Sequence, residues 1–287
     1  MKTKIFAMAA AALALVACDK NNDDLGIDNT KDTPIAIASA GVAELTTRAI
    51  INGQLEGRME EPVTMSVWVE GSAEKYNANN VKWVHDGSND WYSNSTVLYE
   101  GENKQKICAL SPYVENASAD EVTITADGVT DYLVASQTLI TSNPVNINMS
   151  HALAKLVLNP TLGTEVTGDN IATVEVQNMY TQGTLNVEVN NWTNCTGTTA
   201  FTMNKVNANY EVLVVPMEEC ESFPIVITMS SGRVFSANIS LANVDNKLEG
   251  GTQYTITLQV GHDTVTIGDI SAASWGTPVV GGDLETE

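Results

Sequence analysis

Basic residues, aromatic residues and catalytic signatures are all scarce in this chain. Lys and Arg number 14 against 35 Asp and Glu, a formal net charge of −21 over 287 residues. A surface of that sign repels phosphate backbones and anionic headgroups, which argues against nucleic acid as a partner. The acidity suits the solubility of an abundant exported protein instead. No HExxH, GxSxG, Walker or dinucleotide-binding pattern occurs, so the residues that metalloproteases, serine hydrolases and nucleotide-binding enzymes need at fixed spacing are missing. His85, His151 and His262 lie far apart in sequence, and Ser95, Ser111 and Ser150 have no glycine elbow. Asp127-Gly128 and Asp245-Asn246 are too sparse in ligands for a calcium loop. The expectation is no enzyme, no cofactor and no metal.

Long apolar runs are also missing, with one exception. Ile5 to Ala17, behind Lys2 and Lys4, is apolar but shorter than the roughly 20 residues that cross a bilayer, and reads as a secretory signal. The signal ends in Leu15-Val16-Ala17-Cys18, which resembles the lipobox of bacterial lipoproteins. In that motif signal peptidase cuts before the cysteine and its thiol takes a diacylglycerol. Cys18 is therefore the expected lipidation site, and residues 1–17 the signal peptide. That leaves Cys108, Cys195 and Cys220, an odd set without metal-type spacing, of which at most one pair could bridge. Cys108 sits in an apolar run and reads as a small core residue.

Aromatics make up 6% and charged residues 17%, while Thr, Val, Ile and Asn recur. That composition favours strands with polar outer faces over helices. After the acidic tether Asp19–Asp24 comes an almost uncharged run, 33–43, carrying Ile35, Ile37 and Val42, which fits a buried extended strand. Val63–Val69 alternates apolar and polar residues. Val81–Tyr92 brackets a turn at Asp86–Asp90, and further strands are expected at 106–110, 122–125 and 131–135. Asn143-Pro144 is the expected domain boundary, giving units 49–143 and 144–287. Beyond it, 145–149, 151–158, 171–177, 184–189, 210–215, 223–229, 234–241, 254–260 and 264–270 read as short strands between Gly, Asn and Asp turns. This is the rhythm of a β-sandwich, and the length suits two in tandem.

Ile107 to Tyr113 ends in Pro-Tyr, and Asp131-Tyr132-Leu133-Val134-Ala135 comes next, then VNINMSHALAKL from Val145 to Leu156. Val215-Pro216, Gly251 to Tyr254, and Ile270 to Trp275 follow. In that order these segments resemble the fimbrillin family of exported type V pilins from Bacteroidales-type bacteria. Cys108-Ala109-Leu110 departs from the aromatics usual before Pro-Tyr, and only twelve residues follow Trp275.

The resemblance implies an all-β protein of two tandem transthyretin-like sandwiches. It also implies a path: export as a lipoprotein held by a lipid anchor in the outer membrane, then cleavage by an arginine-specific protease. The subunit would next polymerise with other pilin subunits by donor-strand exchange into a surface fimbrium that supports adhesion. Thr47-Arg48-Ala49 matches the family cleavage site, so Arg48 and Ala49 are the expected scissile residues, and 18–48 a lipidated propeptide bearing a removable strand. Thr264–Ile270 and Thr277–Val280 are the candidate donor strands. The competing reading is a monomeric surface lipoprotein that binds glycan or host ligand through Trp83, Trp91 or Trp192.

Overall fold

The computed structural model describes residues 31–42, 63–85 and 91–275. Apart from two single-turn 3-10 helices, Glu74–Tyr76 and Ala242–Val244, its regular elements are strands. The protein is all-β, arranged as β-sandwich domains.

The N-terminal domain is one seven-stranded sheet, in the order β1-β8-β7-β5-β2-β3-β4. Its strands are β1 (Ile37–Val42), β2 (Val63–Glu70), β3 (Ala78–His85), β4 (Trp91–Ser93), β5 (Lys106–Ser111), β7 (Leu133–Leu139) and β8 (Val145–His151). The sheet curls until its two outer strands, β1 and β4, approach one another. Alternation decides what faces inward. Met65, Val67 and Val69 of β2, Ile107 and Ala109 of β5, and Val145, Ile147 and Met149 of β8 share the enclosed core with Ile35 and Ile37. Ser66 and Trp68 point to the other face, where Trp68 joins Cys108, Leu110 and Val134.

The C-terminal domain stacks two sheets. One runs β11-β10-β14-β15 and the other β12-β13-β9-β16-β17. The strands are β9 (Ala154–Leu162), β10 (Ile171–Asn186), β11 (Asn191–Thr202), β12 (Asn204–Val206), β13 (Asn209–Val214), β14 (Ser222–Met229), β15 (Val234–Ser240), β16 (Thr252–Val260) and β17 (Val265–Ser274). Val174, Val176, Phe223, Ile225 and Ile227 of the first sheet meet Leu156, Leu158, Val212, Ile256 and Leu258 of the second. This is the two-faced burial expected of aligned sandwiches.

Two connections join the domains. β6 (Val122–Thr125), although it lies between β5 and β7 in sequence, pairs antiparallel with β10, Val122 opposite Leu185. Its Val122 and Ile124 seal a core against Trp68, Cys108 and Leu110. In the second connection, β8 follows the boundary expected at 143/144 but belongs to the seven-stranded sheet, parallel to β1 and antiparallel to β7. The chain passes from there through Ala152-Leu153 directly into β9.

Candidate functional site

Cys18, Arg48 and Ala49, the expected lipidation and cleavage residues, lie outside the described residues, as do the signal segment 1–17 and Thr277–Val280. The strand expected to be removable is described up to Val42 and is held from two sides. On one side its first half runs antiparallel to the 97–99 stretch. Ile35 N donates to Val97 O (2.8 Å), Tyr99 N to Thr33 O (2.8 Å) and Asp32 N to Tyr99 O (2.8 Å). On the other side β1 runs parallel to β8, from Ile37 opposite Val145 to Val42 opposite Met149, with a bulge between Ile37 and Ser39.

Side chains extend that grip. Asn143 accepts from Ala36 N (2.9 Å) and donates through Nδ2 to Pro34 O (2.9 Å). Ser39 Oγ donates to Asn146 Oδ1 at 2.7 Å. Ile35 and Ile37 are each 6% exposed and Ala40 is 8% exposed, all three turned into the domain core. The segment thus closes the gap between the 97–99 stretch and β8.

Its binding wall is braced from behind by a buried amide. Gln105 Nε2 donates to Tyr76 O (2.8 Å) and Leu98 O (2.9 Å), and its Oε1 accepts from Glu100 N (2.7 Å). The amide's polar atoms are therefore satisfied inside the core, as a buried polar group requires.

At the start of the strand, Asp32 Oδ1 takes a hydrogen bond from Lys75 Nζ (2.7 Å) and another from the Tyr76 hydroxyl (2.7 Å). These two bonds, the lysine's first, hold the Asp32 carboxyl below the ordinary aspartate range. A carboxyl depressed on folding stabilises the fold above its unfolded value, and that contribution is lost as pH falls through the folded value. Acidification below about pH 4, the ordinary aspartate value, should therefore loosen this end of the strand. The protection factor of the Ile35 amide should fall there in the wild type, while Asp32→Asn should show the lower protection already at pH 7. Equal protection in the two proteins at pH 7 would remove Asp32 as a clamp.

A second constellation sits where the domains meet, and it gathers the motif residues of the sequence into one place. His151, the last residue of β8, faces Asp131, whose Oδ2 lies 2.9 Å from Nδ1; both side chains are 1% exposed. A carboxylate can only accept here, which places a proton on Nδ1. Trp275 stacks on the imidazole with centroids 3.6 Å apart and 14° between planes. Lys155 and Glu211 pair at 2.8 Å beside it, with the ammonium 5.6 Å from the Trp275 ring.

Backbone bonds complete the seam. Trp275 N donates to Gly251 O (2.7 Å), Gly251 N to Leu153 O (2.9 Å) and Ala152 N to Tyr132 O (2.7 Å). The neighbouring Gly250 has no room for a side chain, since a Cβ there would stand 2.4 Å from Ala152 O. Asp131, His151, Gly251 and Trp275 are thus one interdomain joint, and the role it can play is structural.

The three tryptophans that would carry surface ligand binding are not available for it. Trp83 and Trp91 are 6% and 9% exposed inside the N-terminal core. Trp192 is half-buried, with its indole N–H donating to Ala152 O at 2.9 Å. Cys108, Cys195 and Cys220 are free thiols, and burial pushes the Cys108 thiol up to about 12. Among the described residues no three His, Cys, Asp or Glu side chains converge as a metal site. Thr264–Ile270, one of the donor candidates, is largely taken up in β17, paired along its length with β16.

A sandwich pair sealed by an N-terminal strand and a histidine joint defines a class of all-β protein. The fimbrillin-like family model matches residues 47–275, and the chain belongs to that family. Among solved structures, a candidate cell adhesion protein of Bacteroides uniformis superposes with TM-score 0.66 at 18% identity, covering 84% of this chain and 99% of that one. A second, from Bacteroides ovatus, gives TM-score 0.63 at 17% identity, covering 85% and 98%. A C-terminally truncated tip fimbrial protein of Porphyromonas gingivalis gives 0.52 at 11% identity, covering 75% and 94%. At these identities the likeness is one of fold. No curated protein matches the chain. Family membership supports a pilin or adhesion role at the cell surface.

Proposed function

We propose that this chain is a structural fimbrial subunit assembled by proteolysis and strand replacement. Residues 1–17 direct export, and Cys18 is acylated and anchors the precursor in the outer membrane. An arginine-specific protease then cuts between Arg48 and Ala49. Residues 18–48 leave with the lipid, and a strand from a neighbouring subunit fills the vacated position beside β8.

The observation that supports this reading is the seating of residues 31–42. The segment lies N-terminal to Arg48, it holds the sheet edge of β8, and Ile35 and Ile37 reach the core. Its departure would leave backbone groups of β8 and the 97–99 stretch unpaired and an apolar trough open. An edge in that state pairs readily with another chain, and adding an extended segment to it is β-augmentation. The protein's contribution is then a stored binding site, with no chemistry of its own.

Low-dose trypsin on the purified full chain tests the reading. A cut after Arg48 followed by SDS-resistant or filamentous multimers is expected. Arg48→Ala should stay monomeric, and Cys18→Ala should lose membrane partitioning. A cut protein that remains monomeric would defeat the assembly mechanism.

A further inference from the structure

We propose that the Arg233–Val234 peptide bond is a latent cleavage site, closed while both sheets of the second sandwich are in place. The protease that acts at Arg48 would then destroy subunits whose second sandwich is unfolded. The inference takes its protease from the maturation reading above but concerns a different bond. The chain has three arginines, Arg48, Arg58 and Arg233. Arg233 is the one within the described residues, and it ends the tip of the β14–β15 hairpin, Ser230-Ser231-Gly232-Arg233. Small, polar loop tips are preferred points of proteolytic nicking. An arginine placed there survives its own protease only if something withholds it.

Three loops converge on the guanidinium. Nη2 donates to Asp169 Oδ2 at 3.0 Å, in the β9–β10 connection. Nη1 donates to His262 O in the β16–β17 turn. Nε donates to Ser231 Oγ at 3.4 Å, and the Phe235 ring centroid lies 5.7 Å away. Asp169 is itself fixed, accepting from Ser231 Oγ (2.6 Å), Ser231 N (3.0 Å) and Asn170 N (3.0 Å). The Ser231 hydroxyl first, and the guanidinium after it, pull the Asp169 carboxyl down to about 2. Asp169 therefore stays ionised at neutral pH. The turn's backbone is pinned as well, with Ser230 N donating to Asn170 O and Met229 N to Arg233 O, both at 2.8 Å.

These partners come from both layers of the sandwich. The β14–β15 turn belongs to the first sheet and the β16–β17 turn to the second, while the connection bearing Asp169 crosses between them. The guanidinium is fully engaged only when the two sheets have assembled. A protease must draw the arginine into its own pocket and hold the flanking residues extended, as an added strand. Here the side chain is occupied, and Val234–Ser240 is paired along β14. Cutting must then follow the population of an opened state. Once the hairpin opens, water adds across the amide, leaving a carboxylate on Arg233 and an amine on Val234. That cut parts β15, β16 and β17 from the rest of the chain, and β16 is an inner strand of the second sheet.

An arginine-specific protease acting on the purified full chain, with fragment masses followed over time, tests this. In native buffer the wild type should be cut after Arg48 while the Arg233–Val234 bond stays whole. In urea, the fragment beginning at Val234 should appear over the range in which β14 amides lose exchange protection. Asp169→Ala should release that fragment about tenfold faster in native buffer, and Ser231→Ala about threefold faster, since each removes hydrogen-bonding groups that hold Arg233. The rate at Arg48 should not change in either. If Asp169→Ala loses β14 protection, Ser231→Ala, which keeps the ion pair, decides the matter. A wild type cut at Arg233 as fast as at Arg48 overturns the proposal. So do folded variants whose Arg233–Val234 bond resists as well as the wild type's. The maturation reading falls on a separate result, an Arg48 product that stays monomeric, so the two failures are distinguishable.

Discussion

Asp131→Ala in the full chain should cost about 3–5 kcal/mol, because removing one partner of a buried pair leaves the other desolvated and unmatched. His151 and Asp131 are both 1% exposed, so water cannot replace the lost bond. The pair is already incompletely satisfied: Asp131 Oδ1 and His151 Nε2 have no partners among the described residues. That is the circumstance in which replacing both residues with apolar groups of similar shape is nearly neutral. Asp131→Leu combined with His151→Phe should therefore recover more than half of the loss, since a phenyl ring keeps the stack on Trp275 while removing the polar demand. Urea unfolding followed by tryptophan fluorescence measures both. A single substitution that costs under about 1 kcal/mol, the range of an exposed pair, would show that the joint carries no such strain.

The same joint shows how far the residues alone could be read. His151, Gly251 and Trp275 stand out as motif positions in the sequence, but nothing local says that they touch. Their meeting depends on β8 belonging to the first sheet while β9, two residues later, belongs to the second. Strand periodicity was legible wherever one face is buried: Ser222–Met229 alternates strictly and is β14, with Phe223, Ile225 and Ile227 inward. β11 was not legible. Asn191–Thr202 buries only Phe201, half-buries Trp192 and Cys195, exposes the rest and is rich in Thr, so no apolar rhythm marks it; its place as an edge strand comes from pairing with β10.

β10 itself runs unbroken from Ile171 to Asn186 although its pattern suggested two strands. Bulges at 176–179 and 182–184 shift its register against β11, while its other edge pairs with β14 over 171–176 and with β6 over 182–185. β6 carries the two-residue alternation of a strand, but its partner lies in the other domain, which spacing cannot encode. For the candidate site, the apolar run at 33–43 pointed to a buried strand; 31–42 is seated between two partners but buries only Ile35, Ile37 and Ala40, its other side chains being half-buried or exposed. The bracing around it, from Asn143, Gln105 and Lys75, consists of single polar side chains distant in sequence, and no pattern announces them.

If strand displacement rather than peptide cleavage is what triggers assembly, the protease should become dispensable once the strand cannot dock. Ile35→Asp with Ile37→Asp puts two carboxylates where isoleucines are 6% exposed. The lost burial alone is about 1.5–3 kcal/mol per side chain, and an unpaired buried carboxylate costs more again. The remaining contacts of the segment, chiefly its backbone ladders and the half-exposed Asp32–Lys75 pair, cannot offset that. The strand should leave its place in the uncut chain, uncovering the edge of β8 and the apolar trough. Carried in the Arg48→Ala background, the double substitution should yield multimers that Arg48→Ala alone does not form, seen by light scattering and by SDS-resistant bands. Amides of β8 from Val145 to Met149 should lose exchange protection in whatever monomer remains, while those of β14 in the second sandwich keep theirs. A triple variant that stays monomeric with β8 protected would mean that residues 31–42 do not guard the groove, and the cut at Arg48 would need another consequence to drive polymerisation.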